Sequence, residues 1–306
     1  MDKSSSIFVA AHKGMVGAAL VRGLDRDGLG NLLLRTPDQL DLGDAITMLR
    51  FFEAKRPDYV FVPLLGKGGV TADARRPADH SREQVTVAGN VLEAACRTGV
   101  RKVLLVGSAR LYPKDTPQPA REEALLAGQS AEPGPVAVMA LCQEYARRHG
   151  LRCIGAISAN LYGPGDDFDL ATAGVLPALI SRLHEARETG AERVVLRGTG
   201  TARREFLHVD DLADACLFLM RQREDPAPVN VGTGRELTVH SLAGLVAEVV
   251  GYPGGIGFDR AQPDGAARKA LDASRLQALG WQPKIDLPAG IAGTYRWFLE
   301  SRALGL

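Results

Sequence analysis

The stretch Ile7-Phe8-Val9-Ala10-Ala11-His12-Lys13-Gly14-Met15-Val16-Gly17-Ala18-Ala19-Leu20 decides how this chain is read. A short apolar run rich in β-formers meets a turn of small residues and then a helix-like segment, which is the order strand, phosphate turn, helix. The spacing Ala11-x-x-Gly14-x-x-Gly17 approximates the glycine turn of a dinucleotide-binding βαβ unit. In that unit bare backbone lets a pyrophosphate approach amide donors at a helix N-terminus. Ala11, Lys13, Gly14, Met15, Val16 and Gly17 are therefore the candidate cofactor turn. Alanine at position 11 is the departure: if the turn needs positive φ there, a Cβ costs on the order of 1 kcal/mol. A tight turn of purely structural purpose is the alternative.

With 306 residues the chain has room for two domains, or for one large α/β domain with a satellite lobe. Hydrophobic content of 45%, charged content of 24% and a net charge of +1 describe an ordinary globular protein. Because 37 basic and 36 acidic residues are interspersed, any anion site must be local, and nothing calls for nucleic acid. Cys96, Cys142, Cys153 and Cys216 lie far apart with no C-x-x-C pair. They read as reduced core thiols in a cytoplasmic protein. Met1 to Ser6 is too short and polar for a signal peptide, and no apolar run approaches the roughly 18 residues a membrane helix needs. No two histidines have metal-ligand spacing, so no metal is expected.

Taken in order, Asn31 to Thr36 reads as a second strand that carries Arg35 near its end. A cation there favours a ribose 2′-phosphate, hence NADP over NAD, with a solvated strand-end arginine as the alternative. A helix from Asp41 through Phe52, a strand Tyr59–Val62 followed by Pro63-Leu64-Leu65, and a helix from about Arg82 to Thr98 come next. The strand Lys102–Val106 then delivers Gly107-Ser108 at its carboxyl end, the edge that carries the ligand crevice of an open α/β sheet. A helix around Ala137 to His149 and a strand Cys153–Ile157 complete an alternation that predicts a parallel, doubly wound sheet. Beyond Asn160-Leu-Tyr-Gly-Pro164 the texture changes to a Gly/Asp-rich loop and then an amphipathic helix, Val175 to Arg187, on which His184 is expected to be solvated. His208 precedes Asp210-Asp211; a capping role for it is favoured over a metal role.

The segments Phe8 to Gly17, Asn160 to Pro164, Arg204-Glu-Phe-Leu-His-Val-Asp-Asp211, Val229-Asn-Val-Gly-Thr-Gly234, Pro263-Asp-Gly265 and Arg268-Lys269 resemble the GDP-L-fucose synthase family, a branch of the extended short-chain dehydrogenases/reductases. The likeness runs from about Ile7 to Leu299 in matching order. It implies an α/β chain with a Rossmann-type doubly wound parallel sheet over residues 1–165 and a smaller C-terminal substrate-binding lobe over 166–306. Residues 206–232 are expected to return to the first unit. NADP, a GDP-sugar or other NDP-sugar, and a homodimer are implied with it. Asn160, Val175, Arg182, Arg204 and Lys269 fall where the family meets the nucleotide sugar; each cation alone would more often be a solvated surface charge, but together, inside matching motifs, they favour a nucleotide-sugar site. Guanidinium forks and an ammonium suit a diphosphate.

Against the resemblance stands the catalytic apparatus. The family uses a Tyr with a Lys four residues later, the Lys lowering the phenol's pKa. Four residues after Tyr59, Tyr112, Tyr145, Tyr162, Tyr252 and Tyr295 stand Pro63, Thr116, His149, Asp166, Ile256 and Leu299, none of them lysine. The family's serine matches Ser108, but its epimerisation cysteine falls on Arg110 and the partner histidine on Gly174. Pro63-Leu64-Leu65 replaces a run of small alanines beside the dinucleotide, an overpacking worth about 1–3 kcal/mol in a close-packed site. Two functions are therefore carried. The first is altered nucleotide-sugar chemistry using Ser108, Arg110 or Tyr112. The second is a catalytically silent homologue that binds a nucleotide sugar or partners an active paralogue.

Overall fold

The computed structural model describes residues 1–64, 77–126 and 133–304. The strands are β1 (Ile7–Val9), β2 (Leu32–Leu33), β3 (Tyr59–Pro63), β4 (Lys102–Ser108), β5 (Cys153–Ser158), β6 (Asn160–Tyr162), β7 (Arg193–Arg197), β8 (Arg203–His208), β9 (Val229–Val231), β10 (Glu236–Thr238), β11 (Gly255–Asp259) and β12 (Arg268–Lys269). The helices are α1 (Met15–Arg26), α2 (Ala45–Lys55), α3 (Pro77–Thr98), α4 (Pro133–His149), α5 (Val175–Glu188), α6 (Val209–Gln222), α7 (Val239–Val250), α8 (Ser274–Ala278) and α9 (Leu287–Ala303). Local chemistry sets several boundaries. The second helix starts at Ala45 rather than Asp41 because the Asp44 carboxylate accepts the Thr47 amide. Thr238 and Asp286 cap α7 and α9 in the same way.

Six strands form a wholly parallel sheet in the order β2-β1-β3-β4-β5-β9. Its order reverses between β1 and β3, which places a ligand crevice at the carboxyl ends of those strands. Buried runs such as Val103 to Val106 are apolar on both faces, as helices on both sides of a parallel sheet demand. The second strand is only Leu32–Leu33, shorter than Asn31 to Thr36. A separate sheet joins β10, β8 and β12, with β6 beside β8, and β7 pairs with β11.

Two apolar cores result. One surrounds the parallel sheet and takes in Leu207 to Met220, Leu271, Leu276 and Trp281 from later in the chain. The other lies among α5, α7 and α9 around Tyr162 and Phe206. Buried polar groups tie the parts. Glu205, fully buried, accepts from the Thr233 and Gly234 amides at 2.6 and 2.8 Å and from the Leu271 amide at 2.7 Å. Lys102, nearly as buried, closes the carboxyl end of α6 through the Met220 and Arg223 carbonyls, where a cation also complements the helix dipole.

Two expectations are corrected. Cys142 of α4 and Cys153 of β5 are joined as a disulfide with a Cα separation of 5.7 Å, leaving Cys96 and Cys216 as free thiols. Their spacing matches no motif because the pairing comes from α4 lying across β5. His184 is not solvated: α9 covers it, its Nδ1 lies 2.9 Å from the Tyr295 hydroxyl, and Phe298 packs edge-on against it. No helix among the described residues is long and apolar enough to cross a membrane.

Replacing Glu205 with alanine should cost on the order of 3 kcal/mol, because three buried amides lose their acceptor together. Chemical denaturation monitored by circular dichroism measures it. Burial holds both His184 and His208 below the ordinary imidazole pKa. The unfolded chain therefore binds more protons, and stability is lost as pH falls below about 6.5. Melting scans between pH 7.5 and 5.5 should show the decline, and His184→Gln should flatten part of it.

Candidate functional site

At the carboxyl end of β1 the chain turns under strain. Ala11 has φ 49°, its carbonyl accepts the Gly14 amide at 2.9 Å, and the β1 exit is pinned by Ala10 N–H to the Phe61 carbonyl. Gly17 is needed for close approach: a Cβ there would collide with the Ala11 carbonyl and lie 2.7 Å from the His12 Cα. No side chain caps α1 at Gly14, so the amides of its first turn and the positive end of its dipole are presented bare. Lys13 is exposed beside them. A strap from the far side of the cleft crosses this point, with Gly163 at φ 142° and Gly165 at φ 86°; a Cβ on Gly165 would lie 3.3 Å from the Met15 Cα. Arg35 lies just beyond β2, its guanidinium 5.6 Å over the Phe51 ring and bonded to the Leu34 carbonyl.

The neighbouring strand ends are closed more tightly. Leu64 extends the β3–β4 ladder through its amide to Val106, and its carbonyl accepts Gln84 Nε2 at 2.6 Å. Leu65 lies outside the described residues. Ser108, at the end of β4, caps the turn Ala109–Leu111 by accepting the Arg110 amide; both residues are half-buried at the edge. Tyr112 is sealed away from that edge. Its hydroxyl donates to Asn230 Oδ1 at 2.6 Å, and burial with Glu122 nearby raises its pKa far above the phenol range. Asn230 also donates to the Ala120 and Asp272 carbonyls, so the pair is a structural bolt.

Three side-chain atoms among the described residues are buried without a hydrogen-bond partner: His12 Nδ1, Gln84 Oε1 and Asp166 Oδ2. Their residues lie in the α1 turn, against Leu64 at the end of β3, and in the strap over Met15, all around the carboxyl edge of the parallel sheet. Unmet buried polar atoms cost about 1–3 kcal/mol each, so their gathering here fits a polar ligand at this edge. Bare α1 amides, Arg35 and the close approach at Gly17 are the features that could receive a pyrophosphate and a 2′-phosphate. Among the described residues no cluster could hold a metal ion.

On the smaller sheet Arg204 faces Lys269 across β8–β12, while Asn160 pairs with Phe206 across β6–β8. Residues 204 and 206 share a face of the strand, so Asn160, Arg204 and Lys269 are brought together. Asn160 Nδ2 donates to the Glu205 carbonyl, and the half-buried Arg204 has its pKa lowered by desolvation, opposed by Asp264. Val175 and Arg182 sit on a different element, seven residues apart on one face of α5, whose start at Gly174 also has no side-chain cap.

Residues 7–232 match the model of the NAD-dependent epimerase/dehydratase family. The chain belongs to that family. It is 45% identical to GDP-L-fucose synthase 1 of Arabidopsis thaliana, over 98% of this chain and 95% of the relative. With the GDP-L-fucose synthase of Escherichia coli K12 it shares 42% identity over 97% of each. The NADP-bound GDP-mannoheptose C4 reductase MlghC of Campylobacter jejuni superposes with a TM-score of 0.88 at 30% identity, covering 98% of this chain and 99% of that one.

Within this epimerase/dehydratase fold each tyrosine has a settled place. Tyr112 bonds Asn230, Tyr145 bonds Glu93, Tyr252 bonds the Ala191 carbonyl and Tyr295 meets His184. Tyr59 lies under Arg101, and Tyr162 is packed against Phe206 and His208. His208 caps α6 by accepting the Asp210 amide at Nδ1. Gln84 and Asp166 escaped the sequence reading: the first lies on an expected helix that carries no motif, and the second was one aspartate in a polar loop whose signal was the pair Gly163 and Gly165.

Because Ala11 sits at positive φ with a Cβ, Ala11→Gly should stabilise the chain by at most about 1 kcal/mol, offset by the extra freedom of the unfolded chain. Gly17→Ala should destabilise it by more than that. Paired melting curves check both signs.

Proposed function

We propose that this chain is a nucleotide-sugar protein of the GDP-L-fucose synthase line that keeps the two-sided cleft, NADP on one side and a GDP-sugar on the other, without the proton-transfer groups of the line's two-step reaction. The GDP-sugar assignment is drawn from the names of the relatives. In this reading NADP, when bound, supplies hydride chemistry. The α1 amides receive its pyrophosphate and Arg35 its 2′-phosphate, while Arg204, Lys269 and Arg182 neutralise the sugar nucleotide's diphosphate.

One observation carries the proposal: the hydroxyls of Tyr112, Tyr145, Tyr252 and Tyr295 are each engaged by another group of the protein, and no tyrosine has a lysine four residues on. Hydride transfer to a ketone needs a proton delivered to the nascent alkoxide, and epimerisation needs an acid and a base on opposite faces of the sugar. Arg110 and Gly174 stand where the resemblance puts the cysteine and histidine for that work. A guanidinium holds its proton too tightly to exchange it, and glycine has none to give.

A second reading, altered sugar chemistry in the same cleft, is favoured by Ser108 and Arg110, which lie half-open at the strand end. The test is incubation with NADPH and a GDP-4-keto-6-deoxyhexose, following NADPH absorbance and separating the products. One general acid or base is worth about 10²–10⁴ in rate, so turnover should fall at least about 10⁴-fold below that of the Escherichia coli relative. Turnover to the relative's product at a comparable rate overturns the proposal, and a new sugar product selects the second reading.

A further inference from the structure

The strap from Gly163 to Asp166 passes over the first residue of α1 and carries a carboxyl group one residue beyond that contact. Gly165 lies against the first residue of α1, with its Cβ position 3.3 Å from the Met15 Cα and 3.8 Å from the Met15 nitrogen. Both glycines of the strap hold positive φ, so the course of the chain here is specified. The next residue, Asp166, uses only one oxygen: Oδ1 accepts the Asp167 amide at 2.8 Å. Oδ2 is buried and has no partner among the described residues, and it makes no bond to the uncapped amides of α1. Asp44 and Asp286, by contrast, accept first-turn amides at α2 and α9, as ionised carboxylates at helix starts do. A neutral carboxyl instead carries an O–H that needs an acceptor the protein does not provide.

We propose that Asp166 is a ligand-contacting residue of this cleft: in its acid form it donates Oδ2–H to a phosphate oxygen held at the amino terminus of α1, so that dinucleotide binding takes up a proton. The inference rests on the NADP side of the reading above.

The surroundings agree. Burial, with the Asp167 carboxylate alongside, pushes the Asp166 pKa up to about 7. Asp167 cannot substitute, since its Oδ1 accepts the Asp169 amide and its Oδ2 the Thr172 hydroxyl. From the β1–α1 turn the charged or titratable groups are Lys13, exposed, and His12, whose Nδ1 is itself buried and unpartnered; from the start of α6 they are the buried His208, its Nε2 3.3 Å from the Cβ position of Gly163, and Asp210 beside it. A phosphodiester brought to the α1 amides adds negative charge near Asp166. That charge raises the carboxyl's pKa further and draws a proton from solvent onto any ionised fraction. The proton comes from the buffer, and no other bond is made or broken.

Calorimetric titration of NADPH into the full-length protein, run at pH 7.5 in two buffers of different ionisation enthalpy, reads the proton directly. Uptake of a substantial fraction of one proton is expected, and Kd should weaken by up to about tenfold per pH unit from pH 7 to 8.5. In Asp166→Asn, a same-sized amide that still donates but does not titrate, both the uptake and this pH slope should vanish while binding persists; this variant also separates the effect from His12. In Asp166→Ala binding at pH 7 should weaken roughly tenfold. Wild-type binding without proton uptake, or the same uptake in Asp166→Asn, overturns the role of Asp166 and leaves the cleft reading standing. Absence of any NADPH binding to the wild type overturns both.

Discussion

A single carboxylate, Glu205, holds the two halves of this fold in register. It is fully buried in β8, the central strand of the small sheet, and its oxygens gather amides from the turn after β9 and from Leu271 just past β12. The strand β9 belongs to the parallel sheet, whereas β8 and β12 carry Arg204 and Lys269. The same anion therefore fixes how the small sheet stands against the parallel one. Burial pushes its pKa up even though several donors stabilise the charge, which marks desolvation as the larger effect. Gly232 shows how little room surrounds it, since a Cβ there would fall 3.1 Å from the Glu205 carboxyl carbon.

The two-sided cleft proposed above has dissimilar walls. One is made of backbone: the α1 amides, the strained Ala11 and the strap at Gly165. In the proposed reading the other is made of long cations, Arg204 and Lys269 on strands and Arg182 on a helix. Backbone walls tolerate little change, and Ala11 with its extra Cβ at φ 49° is a cost carried by the fold itself. Side-chain walls can lose or gain chemistry without disturbing the sheet. In the proposed reading the proton-transfer groups are of the second kind; the chain superposes on the NADP-bound C4 reductase MlghC with a TM-score of 0.88.

Much of the architecture was legible from apolar runs, because strands covered on both faces read as continuous hydrophobics: Tyr59 to Val62, Lys102 to Val106 and Cys153 to Ile157 each form a strand of the parallel sheet. The turn at Ala11 was legible for the same local reason, and its positive φ follows from the glycine-like spacing. What stayed hidden depends on contacts between distant residues. Tyr112 looked available until Asn230, 118 positions later, took its hydroxyl. The face of α5 holding His184 looked solvated until α9 covered it. Cys142 and Cys153 announce nothing by spacing, and only the crossing of α4 over β5 pairs them. Gln84 and Asp166 carry no motif; an unpartnered buried oxygen can be recognised only in three dimensions.

The central claim is that the cleft still holds both ligands although the reaction chemistry has gone. Native mass spectrometry of the purified protein with NADPH and GDP supplied together measures this most directly. The account predicts a species carrying one NADPH and one GDP per chain. A spectrum in which neither mass is added, under conditions that saturate the Escherichia coli relative, would contradict it.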